Sequence, residues 1–213
     1  MSLELSSLTV ITGQNIPLFK PVNLVVSKGE VACVMGPSGV GKSTLLNAIG
    51  GHLSPHFNVT GDIVLNGQPL TCLPAAERQI GVLFQDPLLF PHLSVGDNLA
   101  FGLSPKVGDL KQRRLLIEQA LEQAQLCGFY HRNPATLSGG QQSRAALMRA
   151  LLAEPKALLL DEPFAKLDLE LRHTMREFLF TQARQQLIPI VLVTHEPADL
   201  AAAKGPLVVL QPT

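Results

Sequence analysis

The chain has no tryptophan, one tyrosine and three cysteines in 213 residues. Cys33, Cys72 and Cys127 are scattered and odd in number, with no CxxC pair, so a disulfide framework is not expected. They read as reduced thiols that fill space. His52 and His56 stand four apart, but Pro55 lies between them and no cysteine or acid completes a metal set. No apolar run reaches the roughly 18 residues of a membrane-spanning helix. Met1-Ser2-Leu3-Glu4 lacks the charged head and apolar stretch of a signal peptide. A cytosolic chain is expected, with any membrane role supplied through a partner. Excess charge is also missing: 17 basic residues balance 17 acidic ones, which argues against a strongly basic nucleic-acid binder. What the chain has is apolar residues, 46% of the total, enough to build a full core in one large domain.

Patterning assigns the elements. Leu3 to Ile11 and Val22 to Val26 read as strands, and Asp62 to Leu65 as a strand closed by the Asn66-Gly67 turn. Glu30 to Met35, Ile80 to Phe84, Ala157 to Leu160, Ile190 to Thr194 and Leu207 to Leu210 are compact apolar strands. Helices are expected over Lys42 to Ile49, through Ser94 to Leu152 with breaks at Gly102, Pro105 and Gly108, and over Leu169 to Leu187. In the last helix Leu171, Met175, Phe178, Leu179 and Ala183 form one apolar face. Apolar strands alternating with helices predict an α/β fold with a parallel sheet covered on both faces. The β-rich start adds an antiparallel part. The expected division is a core of residues 1–86 and 153–213 with an inserted helical subdomain of residues 87–152.

Gly36-Pro37-Ser38-Gly39-Val40-Gly41-Lys42-Ser43-Thr44 fits GxxxxGK[ST] between a strand and a helix. Glycines let successive backbone N–H groups turn inward around phosphate oxygens, and the helix N-terminus adds positive potential. Lys42 is placed to reach the β- and γ-phosphates, and the Ser43 hydroxyl to ligate Mg²⁺. Leu158 to Leu160 lead into Asp161, Glu162 and Pro163, two acids at a strand's carboxyl end. Asp161 suits the Mg²⁺, and Glu162 could polarise a water against the γ-phosphate. A base beside a metal-binding acid favours hydrolysis over transfer to another acceptor. The parallel sheet with this loop defines a P-loop NTPase core.

A second glycine pair stands in Leu137-Ser138-Gly139-Gly140-Gln141. Ser138 with Gln141 also satisfies a helix capping box, so a well-capped helix is the plain alternative to an anion site. LSGGQQSR, followed by LLLDEP, resembles the signature region of ATP-binding cassette (ABC) ATPases. The likeness extends along nearly the whole chain. Gln85 resembles the family's Q-loop glutamine, Ala165-Lys166-Leu167-Asp168 its D-loop, and Thr194-His195 its switch histidine.

The resemblance implies an ATPase that uses ATP and Mg²⁺ and pairs head to tail, each copy's signature closing on the ATP held by the other. Ser138, Gly139, Gly140, Gln141 and Asp168 would then face a partner's nucleotide. Gln85 would sense the γ-phosphate through Mg²⁺, and His195 would hydrogen-bond the γ-phosphate. One departure is visible. The family commonly stacks adenine on an aromatic near the N-terminal strands, where this chain has Thr12-Gly13-Gln14. Phe19 is the nearest substitute, and weak discrimination between bases is expected.

The resemblance points to importer-type ATPases through FQ…LFPHLSV. The apolar residues Pro87, Leu88, Leu89, Phe90 and Leu93 would meet an integral membrane permease subunit. A solute-binding protein would belong to the same system, and the cassette would sit on the cytoplasmic face of the cell membrane. The chain stops soon after its last strand, so no C-terminal regulatory domain is expected. Two other readings are a soluble cassette acting on nucleic acid or ribosomes, and a nucleotide-gated assembly subunit with little turnover. Neutral charge and the lack of coiled-coil inserts disfavour the first. Glu162 and His195 disfavour the second.

Overall fold

A computed structural model describes residues 2–213. It divides into two compact units. The first comprises residues 2–82, 156–162 and 176–213; the second comprises residues 83–155 and 163–175.

Two sheets build the first unit. β1 (Ser2–Thr12), β2 (Val22–Ser27), β4 (Phe57–Leu65) and β5 (Gln68–Pro69) form one, in the order β2-β1-β4-β5. Its β1–β2, β1–β4 and β4–β5 pairings are antiparallel. The other has the order β6-β7-β8-β3-β9, from β3 (Val31–Met35), β6 (Ile80–Leu83), β7 (Ala157–Asp161), β8 (Ile190–Val193) and β9 (Lys204–Val209). The β7–β8, β8–β3 and β3–β9 pairings are parallel. Every residue of β7 and β8 is buried, as strands covered on both faces require. β2 alternates buried and exposed, as a sheet with one wet face requires. Leu3, Leu5, Leu24, Val26, Ala32, Val34, Leu45, Ile49, Leu159 and Val191 share one apolar core. It fixes α1 (Lys42–Gly50) among the strands.

β4 starts five residues earlier than its apolar pattern suggests. Phe57 to Thr60 pair with β1, Asn58 and Thr60 exposed and Phe57 and Val59 half-buried. Between the two paired stretches β1 bulges at Ser7, φ 48°, opposite Gly61, φ 87°. A side chain at Gly61 would strike the Ser6 and Ser7 carbonyls, so the bulge needs glycine there. The β4–β5 turn has positive φ at both Asn66 and Gly67, the tight form that Asn-Gly favours.

The second unit is helical: α2 (Val95–Ala100), α3 (Leu110–Gln123), α4 (Gly139–Leu152) and the start of α5 (Leu169–Gln186). The rest of α5 belongs to the first unit, as does α6 (Pro197–Ala203). Ser94 caps α2 through the Asp97 amide, and Asp109 caps α3 through that of Gln112. Among the described residues no helix is long and apolar enough to cross a membrane.

Candidate functional site

In the first unit, β3 runs into the loop Gly36–Gly41 and then α1. Gly36, Gly39 and Gly41 have φ of 148°, 79° and 103°, conformations that L side chains rarely adopt. Close packing adds to this at two of them. A Cβ at Gly36 would lie 2.9 Å from the Leu210 carbonyl, and one at Gly41 would lie 3.0 Å from the Phe19 ring. Pro37, Ser38 and Gly39 are exposed, while Val40 is buried and anchors the loop. Lys42 Nζ donates to the carbonyls of Gly36 and Pro37, both at 2.9 Å, which holds the ammonium over the loop. Ser43 is exposed and Thr44 half-buried on the first turn of α1. Arg78 closes the far end of that helix, donating to the carbonyls of Ala48 and Ile49 at 2.8 and 2.7 Å.

Asp161 ends β7 and is buried. Burial pushes its carboxyl above the ordinary value, and the Glu162 charge adds to this; a hydrogen bond with Ser43 and the Lys42 charge work the other way. Glu162 follows in a left-handed conformation, φ 48°. Such backbone costs about 1–3 kcal/mol and clusters at functional sites. Its amide donates to the Val193 carbonyl at 3.0 Å. His195 Nδ1 lies 3.3 Å from Glu162 Oε1, and the imidazole is exposed.

A buried network that sequence reading missed fixes this histidine's neighbour. Arg176 Nε donates to Asp199 Oδ1 at 2.7 Å, and Thr194 Oγ1 donates to Asp199 Oδ2 at 2.6 Å. Thr194 Oγ1 in turn accepts the Glu196 amide at 3.0 Å. The only local signal was an acid in the first turn after Pro197. Cys33 is buried in β3, its thiol pushed up to about 11 chiefly by burial, as a space-filling thiol would be. Phe19 is fully buried, so it cannot stack on a base; that expectation is corrected.

In the second unit, Ser138 caps α4. Its Oγ accepts the Gln141 amide at 3.3 Å, and Gln141 Oε1 accepts the Ser138 amide at 2.9 Å. The capping box is therefore formed. It does not use the N–H groups of Gly139 and Gly140, which have no intrahelical acceptor in a first turn. The D-loop backbone packs on this start: a Cβ at Gly140 would lie 2.8 Å from the Lys166 carbonyl oxygen. Asp168 is exposed, and its Oδ1 accepts the Leu171 amide at 2.9 Å, capping α5. Gln85 is exposed, and its carbonyl accepts Lys166 Nζ at 3.3 Å. Leu88 and Phe101 are largely exposed, Phe90 is partly so, and Leu93 is half-buried. Asn98, fully buried, pins the Phe90 backbone, and Arg149 donates to the carbonyls of Leu88 and Pro87. The backbone of this apolar segment is thus pinned, with Leu88 and Phe90 exposed, Leu89 half-buried and Pro87 buried.

A phosphate loop on a parallel sheet, paired acids at the end of another strand of that sheet and a second glycine-initiated helix start together define an ATP-binding cassette. The chain belongs to the ABC transporter family, whose sequence profile matches residues 19–165, and it is an ATPase by that membership.

Among its relatives is the uncharacterized ABC transporter ATP-binding protein YnjD of Escherichia coli K12. The two are 51% identical over 185 residues, covering 87% of this chain and 85% of that protein. The spermidine/putrescine import ATP-binding protein PotA of Clostridium novyi is 38% identical, covering 92% of this chain and 55% of its own length. The sulfate/thiosulfate import ATP-binding protein CysA of Gloeobacter violaceus is 41% identical, covering 89% and 54%. The chain thus spans about half the length of these two import proteins. A dimeric, post-hydrolysis structure of the cassette MJ0796 bound to ADP and Pi superposes with a TM-score of 0.83 at 30% identity, covering 98% of this chain and 94% of that one.

Proposed function

We propose that the chain is the ATP-hydrolysing subunit of a bacterial importer, and that ATP-driven pairing of two cassettes is coupled to solute movement. The observation that carries the hydrolytic part is the grouping of Ser43, Asp161, Glu162 and His195 in one unit, with Glu162 3.3 Å from His195. The donor set suits Mg²⁺, a hard cation: a hydroxyl and a carboxylate already joined by a hydrogen bond. Ser43 and Asp161 would hold the ion; when bound, it neutralises phosphate charge. Lys42 and the loop amides bind the triphosphate. Glu162 takes a proton from the attacking water, and His195 orients that carboxylate and hydrogen-bonds the γ-phosphate.

The signature amides of Gly139 and Gly140, with Ser138, Gln141 and Asp168, face the ATP of a second copy. Exposed Leu169, next to Asp168, supports a partner surface there. The exposed apolar side chains of Leu88, Phe90 and Phe101 support docking on an integral membrane permease subunit. The names of the import relatives support the direction of transport, and an importer of this kind would work with a solute-binding protein. The cassette then lies peripherally on the cytoplasmic face of the cell membrane.

Glu162→Gln tests the assignment. Losing a general base typically lowers the rate by about 10²–10⁴-fold. ATP binding should survive, and an ATP-bound dimer should accumulate on size-exclusion chromatography. Hydrolysis at the parental rate would remove Glu162 from the role of base.

A further inference from the structure

Lys166 lies in the Ala165-Lys166-Leu167-Asp168 stretch, read from sequence only as part of a motif. Its ammonium donates to the Gln85 carbonyl at 3.3 Å and lies 3.6 Å from the Asp86 carboxylate. Its aliphatic stem runs along the start of α4. The Lys166 Cδ is 3.2 Å, and its Cγ 4.0 Å, from where a Cβ of residue 139 would stand. The Lys166 carbonyl oxygen is 2.8 Å from the same position at residue 140. One residue therefore touches the Gln85 segment with its head, Gly139 with its stem and Gly140 with its backbone.

These contacts do not amount to a stability device. The Lys166 side chain is 42% exposed and that of Asp86 87% exposed, and such surface pairs contribute little. What the arrangement fixes is position. A charge-assisted hydrogen bond sets where the head sits relative to Gln85. The stem fills the space that the absent side chain of Gly139 leaves open. Movement of the Gln85 backbone carries the head with it, and the stem must then follow along the signature start.

We infer that Lys166 is a positioning residue that couples the Gln85 segment to the first turn of α4. It sets the amides of Gly139 and Gly140 according to where Gln85 lies. The inference rests on the proposed roles of Gln85 and the signature in nucleotide use.

The test joins amide exchange on the ligand-free chain with steady-state ATP hydrolysis. Lys166→Met keeps an apolar stem and loses the ammonium; Lys166→Arg keeps a charged head; Asp86→Ala changes the far end of the contact. Lys166→Met is expected to speed exchange at residues 85–86 and 139–141 with no loss of melting temperature. Asp86→Ala should speed exchange at 139–141 as well, at a site it reaches through Lys166. The kcat of Lys166→Met should fall about tenfold with KM unchanged, the pattern of a lost transition-state arrangement, and Lys166→Arg should recover most of it.

Exchange at 139–141 unmoved in Lys166→Met, or an Asp86→Ala effect confined to residues 84–87, overturns the coupling. Parental kcat in Lys166→Met overturns the positioning role even where exchange shifts. Failure of the proposed hydrolytic assignment reads differently: Glu162→Gln then keeps its rate, while the exchange results, which need neither hydrolysis nor pairing, stand.

Discussion

The Asp161 carboxyl is buried at the end of β7, and burial is the largest cause of its raised pKa. An acid whose pKa is higher in the fold than in the unfolded chain binds its proton more tightly in the fold. Its contribution to stability is therefore present in acid and is lost as pH rises from the ordinary value of 3.8 through the raised one. At neutral pH the ligand-free protein bears that cost, as a carboxylate with the proposed role of holding Mg²⁺ would. Asp161→Asn removes the charge and keeps the shape. Without nucleotide at pH 7 this variant should melt above the parent, and the gap should close as pH is lowered toward 3.8. It should also lose the rise in Tm that Mg·ATP gives the parent. Scanning calorimetry over that pH range, with and without Mg·ATP, checks both signs.

Residues of this kind were legible because motif spacing marks them: Lys42, Ser43, Asp161 and Glu162 stand in short patterns with a known phosphate chemistry. Phe19 was not legible. An aromatic is recognised in sequence by type, while its burial against Gly41 depends on the fold. Arg78, Arg176 and Asp199 were missed for the same reason. A charged residue is expected outside, and the buried partners of the two arginines lie 23 to 30 residues away along the chain.

At the scale of elements, the start of α4 separates two demands that one motif had merged. Gly140 is required by packing, since the Lys166 carbonyl oxygen and the Leu167 Cδ2 atom stand 2.8 and 3.0 Å from its Cβ position. Gly139 meets only the Cδ of a flexible lysine, at 3.2 Å. Gly140→Ala therefore forces backbone against backbone and should destabilise by about 1–3 kcal/mol, the usual range for overpacking. Gly139→Ala should stay within about 0.5 kcal/mol of the parent, as an exposed position does. Urea denaturation of the two variants gives the order directly, and equal losses would mean that the D-loop backbone does not dictate Gly140. The strands of the parallel sheet were readable as apolar runs because both faces are covered. The first half of β4 was not, since only Phe57 and Val59 there turn an apolar side toward the core and both stay half-buried, so pairing with β1 across the Ser7–Gly61 bulge extends the strand.

At the scale of the whole molecule, the two units each offer a glycine-led helix start, one at Lys42 and one at Gly139, proposed above to bind phosphate. If each nucleotide uses the first from one copy and the second from another, damage to either can be made good by a different chain. Lys42→Ala removes the ammonium held over the phosphate loop and leaves the signature whole. Gly139→Asp puts a carboxylate at the signature amides, where the neighbouring lysine stem can give way, and leaves the phosphate loop whole. Each variant alone should be nearly inactive, because every site in either homodimer contains a damaged half. In an equal mixture half the pairs are mixed, and in a two-fold pair one of their two sites is then intact. About a quarter of the parental rate should return, provided single sites turn over independently. Titrating one variant into a fixed amount of the other, with phosphate release as the readout, should give a rate that rises and then saturates. A mixture no faster than the sum of its parts would mean that a chain completes its site alone, and the amides of Gly139 and Gly140 would be left to the capping box and to packing.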